Sequence, residues 1–163
     1  MSATDNLLAH AARYADGFRR GGLSRSPGTG IAIVACMDAR LNLSALLGLA
    51  EGDAHVIRNA GGTVTEHELR ALAISQHKMG TTEIVVIHHT DCGVHGFSDD
   101  DFRRELEAET GTQPTWTDVG FDDLEESVRD AVAAIRASPF IPHRESVRGF
   151  VYDVDAGTLT EVV

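Results

Sequence analysis

Cysteine, aspartate and arginine stand at alternate positions in VACMDARL, the stretch that covers residues 34–41. Thiolates and carboxylates are both metal ligands, and arginine holds a carboxylate through two parallel hydrogen bonds without losing its charge. If the backbone stays extended past Cys36, the side chains of Cys36, Asp38 and Arg40 share one side of the chain. The spacing therefore predicts that Asp38 has two competing partners, a metal ion beside Cys36 and the guanidinium of Arg40.

The second cysteine, Cys92, lies in the stretch HHTDCG, residues 88–93. Successive side chains of a strand face opposite ways, so His88 and His89 cannot both point at one ion. The H-x-x-C spacing favours His89 as the partner of Cys92 on one tight turn, and leaves His88 as a packed, hydrogen-bonded residue. Asp91, inside this turn, is expected to orient backbone amides there.

These residues together predict a zinc site. Thiolate and neutral imidazole are typical zinc ligands, and three protein ligands with one open position are typical of catalytic zinc, so Cys36, His89 and Cys92 are the candidate ligands. Asp38 closes the site when it binds the metal, and it leaves the fourth position to water when it pairs with Arg40. The non-catalytic alternative is a permanently closed structural zinc site in which Asp38 is the fourth ligand.

Two apolar, β-branched runs place these residues at strand ends. Residues 31–35 lead directly to Cys36, and residues 83–89 lead to the H-x-x-C turn. Continuous runs of this kind are typical of parallel strands that are covered on both faces. Because ligands bind beyond the carboxyl ends of the strands in open α/β sheets, the two cysteines are expected at one edge of the sheet.

The remaining segments alternate between strand and helix patterns. A further strand is predicted at 54–57, and a strand pair at 147–154 and 158–163 encloses a turn. Helices are predicted at 5–20, 42–49, 66–79 and 98–108, and at 124–135 before Pro139; Thr65 and Glu68 have capping-box spacing, and Gly80 is a stop signal. This order predicts an α/β fold with a mostly parallel central β-sheet flanked by α-helices. Residues 1–163 are expected to form a single domain, with the helix in 1–20 packed on the core or on a partner subunit.

Composition narrows the classes of partner. A formal net charge of -11 repels phosphate backbones and anionic lipid, so neither nucleic acid nor membrane is an expected partner. Membrane spans need eighteen or more apolar residues, which no window of the chain approaches, and Asp5 lies where a signal peptide carries positive charge. The sequence therefore predicts a cytoplasmic protein whose substrate is a small molecule.

The combined motifs resemble the β-class carbonic anhydrases, most closely the short bacterial and mycobacterial branch. The motifs are C-x-D-x-R at 36–40, RNAGG at 58–62 and H-x-x-C at 89–92, and the resemblance covers nearly the whole chain. It implies Zn²⁺ held by Cys36, His89 and Cys92, with Asp38 and Arg40 as the dyad that opens and closes the site. It also implies reversible hydration of carbon dioxide to bicarbonate and a proton by zinc-bound hydroxide, in a homodimer or homotetramer with active sites near the interface.

The chain departs from the family pattern beside the RN motif. Many relatives carry Phe-Gln there, but alignment on this motif places Leu49 and Ala50 at those positions, and Ala39 replaces a common serine. Without these polar groups the pocket is expected to be more apolar, which suits less polar heterocumulenes. The alternative activity is therefore hydrolysis of carbonyl sulfide or carbon disulfide at the same zinc site, as in some short members that resemble this chain.

Overall fold

The computed structural model describes residues 2–163, which fold around a five-stranded sheet. In chain order the strands are β1 (Ile31–Cys36), β2 (Ala54–Asn59), β3 (Glu83–His89), β4 (Val147–Tyr152) and β5 (Leu159–Glu161). The strands lie side by side in the order β2-β1-β3-β4-β5. All neighbouring pairs are parallel except β4 and β5, which pair antiparallel. The predicted α/β fold with a mostly parallel sheet is therefore confirmed.

Within residues 2–163, five helices accompany the sheet: α1 (Ala3–Gly17), α2 (Leu43–Leu47), α3 (Glu66–Met79), α4 (Asp99–Thr110) and α5 (Leu124–Ala137). The predicted bounds of α3 are confirmed, and its N-cap is the capping box of Thr65 and Glu68. The first helix begins earlier than the predicted residue 5, because Ser2 and Asp5 form a capping box that the apolar pattern does not reveal.

The central strands β1 and β3 are buried on both faces by two apolar clusters. Ala32, Val34 and Val86 pack with residues of α3 and α5 on one face, whereas Ile33 and Ile87 pack on the other face. Helix α5 lies directly against β4, where a Cβ at Gly149 would collide with Val128 and lie 3.0 Å from Val132 Cγ2. Alternating side chains of β3 therefore enter two different environments.

Helix α1 packs on little of the chain. None of its described residues is buried, and Leu7 and Leu8 are 69% and 63% exposed. The hydroxyl of Tyr14 donates to Glu51 Oε1 at 2.8 Å and ties the helix to the loop before β2. Among residues 2–163, the helices lack the combination of length and apolar character that a bilayer crossing needs.

Candidate metal centre

The parallel pairing of β1 and β3 brings their carboxyl ends together at one edge of the sheet. Cys36 is the last residue of β1, His89 is the last residue of β3, and Cys92 follows in a turn. The two Sγ atoms lie 3.9 Å apart, and the ligand atoms of all three side chains lie within 4.8 Å of one another. The structure thus brings together the three residues that the sequence spacing selected, and all three are buried.

The imidazole of His89 is oriented toward the two thiols. Its Nδ1 lies 2.8 Å from the carbonyl oxygen of Thr90, which can only accept, so Nδ1 is the protonated nitrogen and Nε2 carries the lone pair. Nε2 is buried and has no hydrogen-bond partner among residues 2–163. A buried polar atom without a partner is unfavourable by about 1–3 kcal/mol, so this nitrogen needs a ligand.

The distances fit a zinc ion. Tetrahedral zinc with Zn–S bonds of about 2.3 Å holds two thiolates about 3.8 Å apart. The observed separation of the Cys36 and Cys92 sulfur atoms is 3.9 Å. Two soft thiolates and one imidazole are also the donor types that zinc prefers over magnesium or calcium. Cys36, His89 and Cys92 can therefore hold a metal ion without rearrangement.

The two thiols differ in acidity. Burial raises the pKa of Cys36, but the His89 imidazole and the backbone N–H groups of Asp38 and Gly61 outweigh burial and lower the pKa to about 7. Burial raises the pKa of Cys92, and the charge of Cys36 adds to this effect. Burial lowers the pKa of His89, but the neighbouring Cys36, the carbonyl oxygen of Thr90 and the charge of Asp38 together outweigh burial and raise the pKa. Two buried thiolates therefore coexist only when a cation compensates their charge.

His88 lies on the opposite face of β3 and is not a ligand candidate. Its Nε2 donates to the carbonyl oxygen of Gly62 at 3.0 Å, and its Nδ1 lies 2.8 Å from Ser127 Oγ. The side chain is fully buried, and this burial lowers its pKa to about 4, so the ring is neutral near pH 7. The prediction of a packed, hydrogen-bonded His88 is confirmed.

Asp38 and Arg40 form a bidentate pair beside the ligands. Arg40 donates from Nε to Asp38 Oδ1 at 3.0 Å and from Nη2 to Asp38 Oδ2 at 2.8 Å. These bonds, with one from the Arg40 backbone N–H, hold the pKa of Asp38 well below its ordinary value. Asp38 Oδ2 lies 3.9 Å from His89 Nε2, so the carboxylate borders the metal position while it is paired with Arg40.

The expectation of an extended backbone past Cys36 is wrong. The chain turns after Met37, with the backbone N–H of Leu41 donating to the carbonyl oxygen of Asp38 at 3.1 Å. The Asp38 side chain supports this turn by accepting from the backbone N–H of Arg40 at 2.8 Å. The pairing of Asp38 with Arg40 is therefore a consequence of a turn and not of strand alternation.

Arg58 positions the same segment, although sequence reasoning gave it no role. Its Nε donates to the carbonyl oxygen of Cys36 at 2.9 Å, and its Nη2 donates to the carbonyl oxygen of Asp38 at 2.7 Å. Arg58 is next to the last residue of β2, which pairs directly with β1. Its place in the RNAGG motif at a neighbouring strand end was the signal that could have identified it.

Asp91 contacts Arg40 and not the backbone amides expected from the sequence. Its Oδ2 accepts from Arg40 Nη1 at 2.7 Å, and its carbonyl oxygen accepts from Arg40 Nη2 at 2.8 Å. Among the described residues, Asp91 is the one non-glycine residue with a positive φ, at 53°. This left-handed backbone turns the chain between His89 and Cys92, so its side chain reaches the guanidinium instead.

A cavity of about 230 Å³ opens beside the thiols and the Asp38 carboxylate. The remaining lining residues are apolar or glycine: Met37, Ala60, Gly61, Gly93 and Val94. Leu49 packs against the apolar cluster that contains Cys36 and Cys92. The cavity therefore offers an apolar wall opposite one anionic group.

Comparison with known proteins identifies the family. The family model described as carbonic anhydrase matches residues 31–119. β-Carbonic anhydrase 1 of Mycobacterium tuberculosis is 51% identical over 162 residues, which cover 99% of each chain. The crystal structure of carbonic anhydrase from Streptococcus mutans shares the fold with a TM-score of 0.92 and 43% identity, covering 100% of this chain and 99% of that chain.

A carbon disulfide hydrolase from Acidithiobacillus thiooxidans is a more distant relative, with 31% identity over 148 residues that cover 78% of this chain and 74% of the hydrolase. The mycobacterial enzyme matches a larger share of the chain at higher identity, and its match extends beyond the segment that carries the ligand residues. From the family match, the whole-length identity and the shared fold, the chain belongs to the β-carbonic anhydrase family.

Proposed function

We propose that residues 1–163 act as one catalytic domain, a zinc-dependent lyase that reversibly hydrates carbon dioxide to bicarbonate and a proton. The observation that carries the proposal is the buried group of Cys36, His89 and Cys92, in which an unpartnered imidazole nitrogen faces two thiols 3.9 Å apart. When bound, zinc supplies a Lewis acid that acidifies water and makes a hydroxide nucleophile available near neutral pH.

Asp38 orients the nucleophile. Because hydrogen bonds from Arg40 keep the pKa of Asp38 low, the carboxylate remains ionised and acts only as a hydrogen-bond acceptor. Arg40 fixes both carboxylate oxygens. Oδ1 accepts from the Nε and the backbone N–H of Arg40, whereas Oδ2 accepts from Nη2 and retains a lone pair that can accept from a water or hydroxide in the cavity. The negative charge of Asp38 also disfavours retention of the anionic product, which promotes release of bicarbonate.

The cavity wall suits the substrate. Carbon dioxide has no net dipole and is poorly hydrated compared with bicarbonate, so a wall of Met37, Ala60 and Val94 side chains accepts it without leaving polar groups unpaired. Arg58 holds the carbonyl oxygens of Cys36 and Asp38, so the ligand and the orienting carboxylate move as one rigid segment. This rigidity maintains the alignment that the reaction needs.

Zinc content and stopped-flow hydration rates test the proposal. His89→Ala is expected to lose most bound zinc and nearly all hydration activity, whereas His143→Ala, an exposed histidine outside the site, serves as the matched control and retains both. Asp38→Ala and Arg40→Ala are expected to keep zinc and to lose at least tenfold in kcat/KM. A zinc-free native protein, or near-normal rates in Asp38→Ala and Arg40→Ala, contradicts the proposed mechanism.

Carbon disulfide or carbonyl sulfide hydrolysis is the second candidate activity. It is favoured by the apolar lining of the cavity and by the 31% identity to the hydrolase of Acidithiobacillus thiooxidans. Parallel assays of sulfide release and carbon dioxide hydration on the same zinc-loaded preparation separate the two. Sulfide release that exceeds hydration in kcat/KM would assign the sulfur compounds as the main substrates.

A structural zinc site is less consistent with the arrangement of Asp38. In that alternative Asp38 is a permanent fourth ligand, yet both of its carboxylate oxygens accept hydrogen bonds from Arg40. A zinc-loaded protein with a four-protein-ligand coordination sphere at every pH, together with no hydratase activity, would favour the structural role.

A homodimer or homotetramer in the cytoplasm completes the proposal. Helix α1 presents Leu7 and Leu8 to solvent and buries none of its described residues, so a second copy is the expected cover for its apolar face. The cytoplasm is proposed because it is a reducing compartment, and both ligand thiols must remain reduced to bind the metal.

A further inference from the structure

The guanidinium of Arg40 is shared between the two segments that carry the metal ligands. Its Nε and Nη2 bind the two carboxylate oxygens of Asp38, which follows Cys36 in the chain. Its Nη1 binds Asp91 Oδ2 at 2.7 Å, and its Nη2 also binds the Asp91 carbonyl oxygen at 2.8 Å. Four of the five N–H donors of an arginine are thus directed, two toward each segment, which fixes both the position and the plane of the guanidinium.

We propose that Asp91 is a positioning residue that anchors Arg40 to the turn between His89 and Cys92, and thereby keeps Asp38 paired with Arg40 and away from the metal. This inference rests on the proposed function, because it concerns how often the fourth metal position is open. Asp38 Oδ2 is only 3.9 Å from His89 Nε2, so a small rotation away from Arg40 takes it to the metal position. An Arg40 that is held from its far side remains available to compete with the metal for Asp38.

Asp91 does not compete with Asp38 for the same hydrogen atoms. Asp91 Oδ2 accepts from Nη1, whereas Asp38 accepts from Nε and from Nη2. The charge of Asp91 opposes that of Asp38 only weakly, because its side chain is 79% exposed and solvent screens it. We therefore expect the hydrogen bonds that hold Arg40 in place to matter more than the competition between the two carboxylates for its charge. Loss of Asp91 is then expected to free Arg40 and to weaken its pair with Asp38.

The backbone of Asp91 supports this assignment. A non-glycine residue with a φ of 53° is held in the left-handed region, which aspartate and asparagine tolerate better than most residues. Because the Asp91 carbonyl oxygen and its carboxylate both accept from Arg40, the turn presents two acceptors to one guanidinium. Asp91→Gly accommodates this backbone and removes the side chain, whereas Asp91→Asn preserves both the shape and a neutral acceptor.

Azide binding to the cobalt-substituted protein tests the inference without relying on activity. Azide needs an open metal position, so its apparent affinity is proportional to the fraction of molecules in which Asp38 is off the metal. At one pH near neutrality, Asp91→Gly is expected to weaken azide binding about fivefold, measured from the cobalt absorption bands, and Asp91→Asn less than that. In an Asp38→Ala background, Asp91→Gly is expected to have no effect, because the carboxylate that closes the site is absent.

Glu161→Gln is the matched control. Glu161 also accepts hydrogen bonds from a surface arginine, Arg148, at 2.6 Å, but Arg148 lies near the start of β4, at the opposite edge of the sheet from the metal centre. This variant is expected to bind azide like the native protein. Unchanged or tighter binding in Asp91→Gly, an equal loss in the Asp38→Ala background, or unfolding of the metal-free Asp91→Asn protein overturns the inference. A native protein that neither takes up cobalt nor hydrates carbon dioxide overturns the proposed function instead.

Discussion

Gly62 allows the loop after β2 to pass against both ligand-bearing strands. A Cβ at this position would lie 3.0 Å from the backbone nitrogen of Cys36, and 3.1 Å from both the carbonyl oxygen of Ile87 and His88 Cδ2. Its φ is +73°, and its carbonyl oxygen accepts from His88. One residue without a side chain thus lets the loop lie against the ends of β1 and β3.

Gly62→Ala is expected to reduce the free energy of unfolding by about 2–4 kcal/mol, since the left-handed backbone and the overpacking both act against alanine. Gly80→Ala is the matched control: its φ is also +73°, but a Cβ there would have open space, so it carries only the backbone effect. We expect the control to lose about 1–2 kcal/mol in urea denaturation. Equal losses for the two variants would show that close approach at Gly62 is unimportant.

At the scale of residues, the sequence predicted types and spacing better than partners. Cys36, His89 and Cys92 could be placed together because parallel strand ends share one edge of a sheet. The hydrogen-bond partners of Arg58 and Asp91 could not be predicted, even where a motif marks the residue, because these bonds join segments that are distant along the chain. Residue spacing predicts which face of an element a side chain occupies. It does not predict which long side chain of a neighbouring element will bind that side chain.

At the scale of elements, α3 shows how a helix start supports the loop that carries the RNAGG motif. Glu68 Oε2 accepts from the backbone N–H of Thr65 at 2.9 Å and from its hydroxyl at 2.6 Å, and Glu68 is only 8% exposed. Burial raises the pKa of Glu68, but the hydrogen bonds from Thr65, together with the Asn59 side chain and the backbone N–H of Glu68, outweigh burial and lower the pKa below its ordinary value of 4.5. The ionised carboxylate therefore stabilises the folded state.

This lowered pKa predicts a pH dependence of stability. A carboxyl whose folded-state pKa lies below its unfolded-state value stabilises the protein above the unfolded pKa of 4.5 and loses that contribution as pH falls through the folded value. Glu68→Gln is expected to lose about 1 kcal/mol near neutral pH and to show a shallower fall in stability below about pH 5. Unfolding by urea at several pH values measures both.

Glu66→Gln is the control for that experiment, because Glu66 is also in the first turn of α3 but is exposed. It is expected to retain the native pH profile within a few tenths of a kcal/mol. A Glu68→Gln curve that runs parallel to the native curve at all pH values would remove the capping box from the acid sensitivity of the fold.

The elements themselves differed in how far the sequence determined them. The bounds of α3 were predictable because its cap and its stop are local signals. The turn after β1 was not, because it depends on Arg58 and on a bond from the backbone N–H of Met37 to the carbonyl oxygen of Asn59 at 2.7 Å. Local propensity cannot report a turn that is stabilised by a neighbouring strand.

At the scale of the whole molecule, the sheet positions the candidate ligands, whereas α1 lies outside the core. The sheet order places β1 and β3 inside the sheet, with a strand on each side of both. The candidate ligands at their carboxyl ends are therefore buried. Helix α1 contributes no buried residue to this core, and a helix of 15 residues is marginal in water without packing. The proposed second copy, placed over the apolar face of α1, is therefore expected to stabilise the helix as well as the assembly.

Replacing Leu7 and Leu8 together by serine tests this arrangement. In an isolated chain these leucines are exposed, and their loss should change the free energy of unfolding little. In a symmetric dimer that buries them, each leucine lost removes about 1.5–3 kcal/mol of the free energy that holds the interface together. The dissociation constant is then expected to rise by at least about a hundredfold. Sedimentation velocity over a range of concentrations measures the change, and Arg13→Ser, on the opposite face of α1, is the control. A native chain that sediments as a 17.5 kDa monomer at every concentration, or a Leu7→Ser/Leu8→Ser variant that associates as tightly as the control, would contradict a role for α1 in assembly.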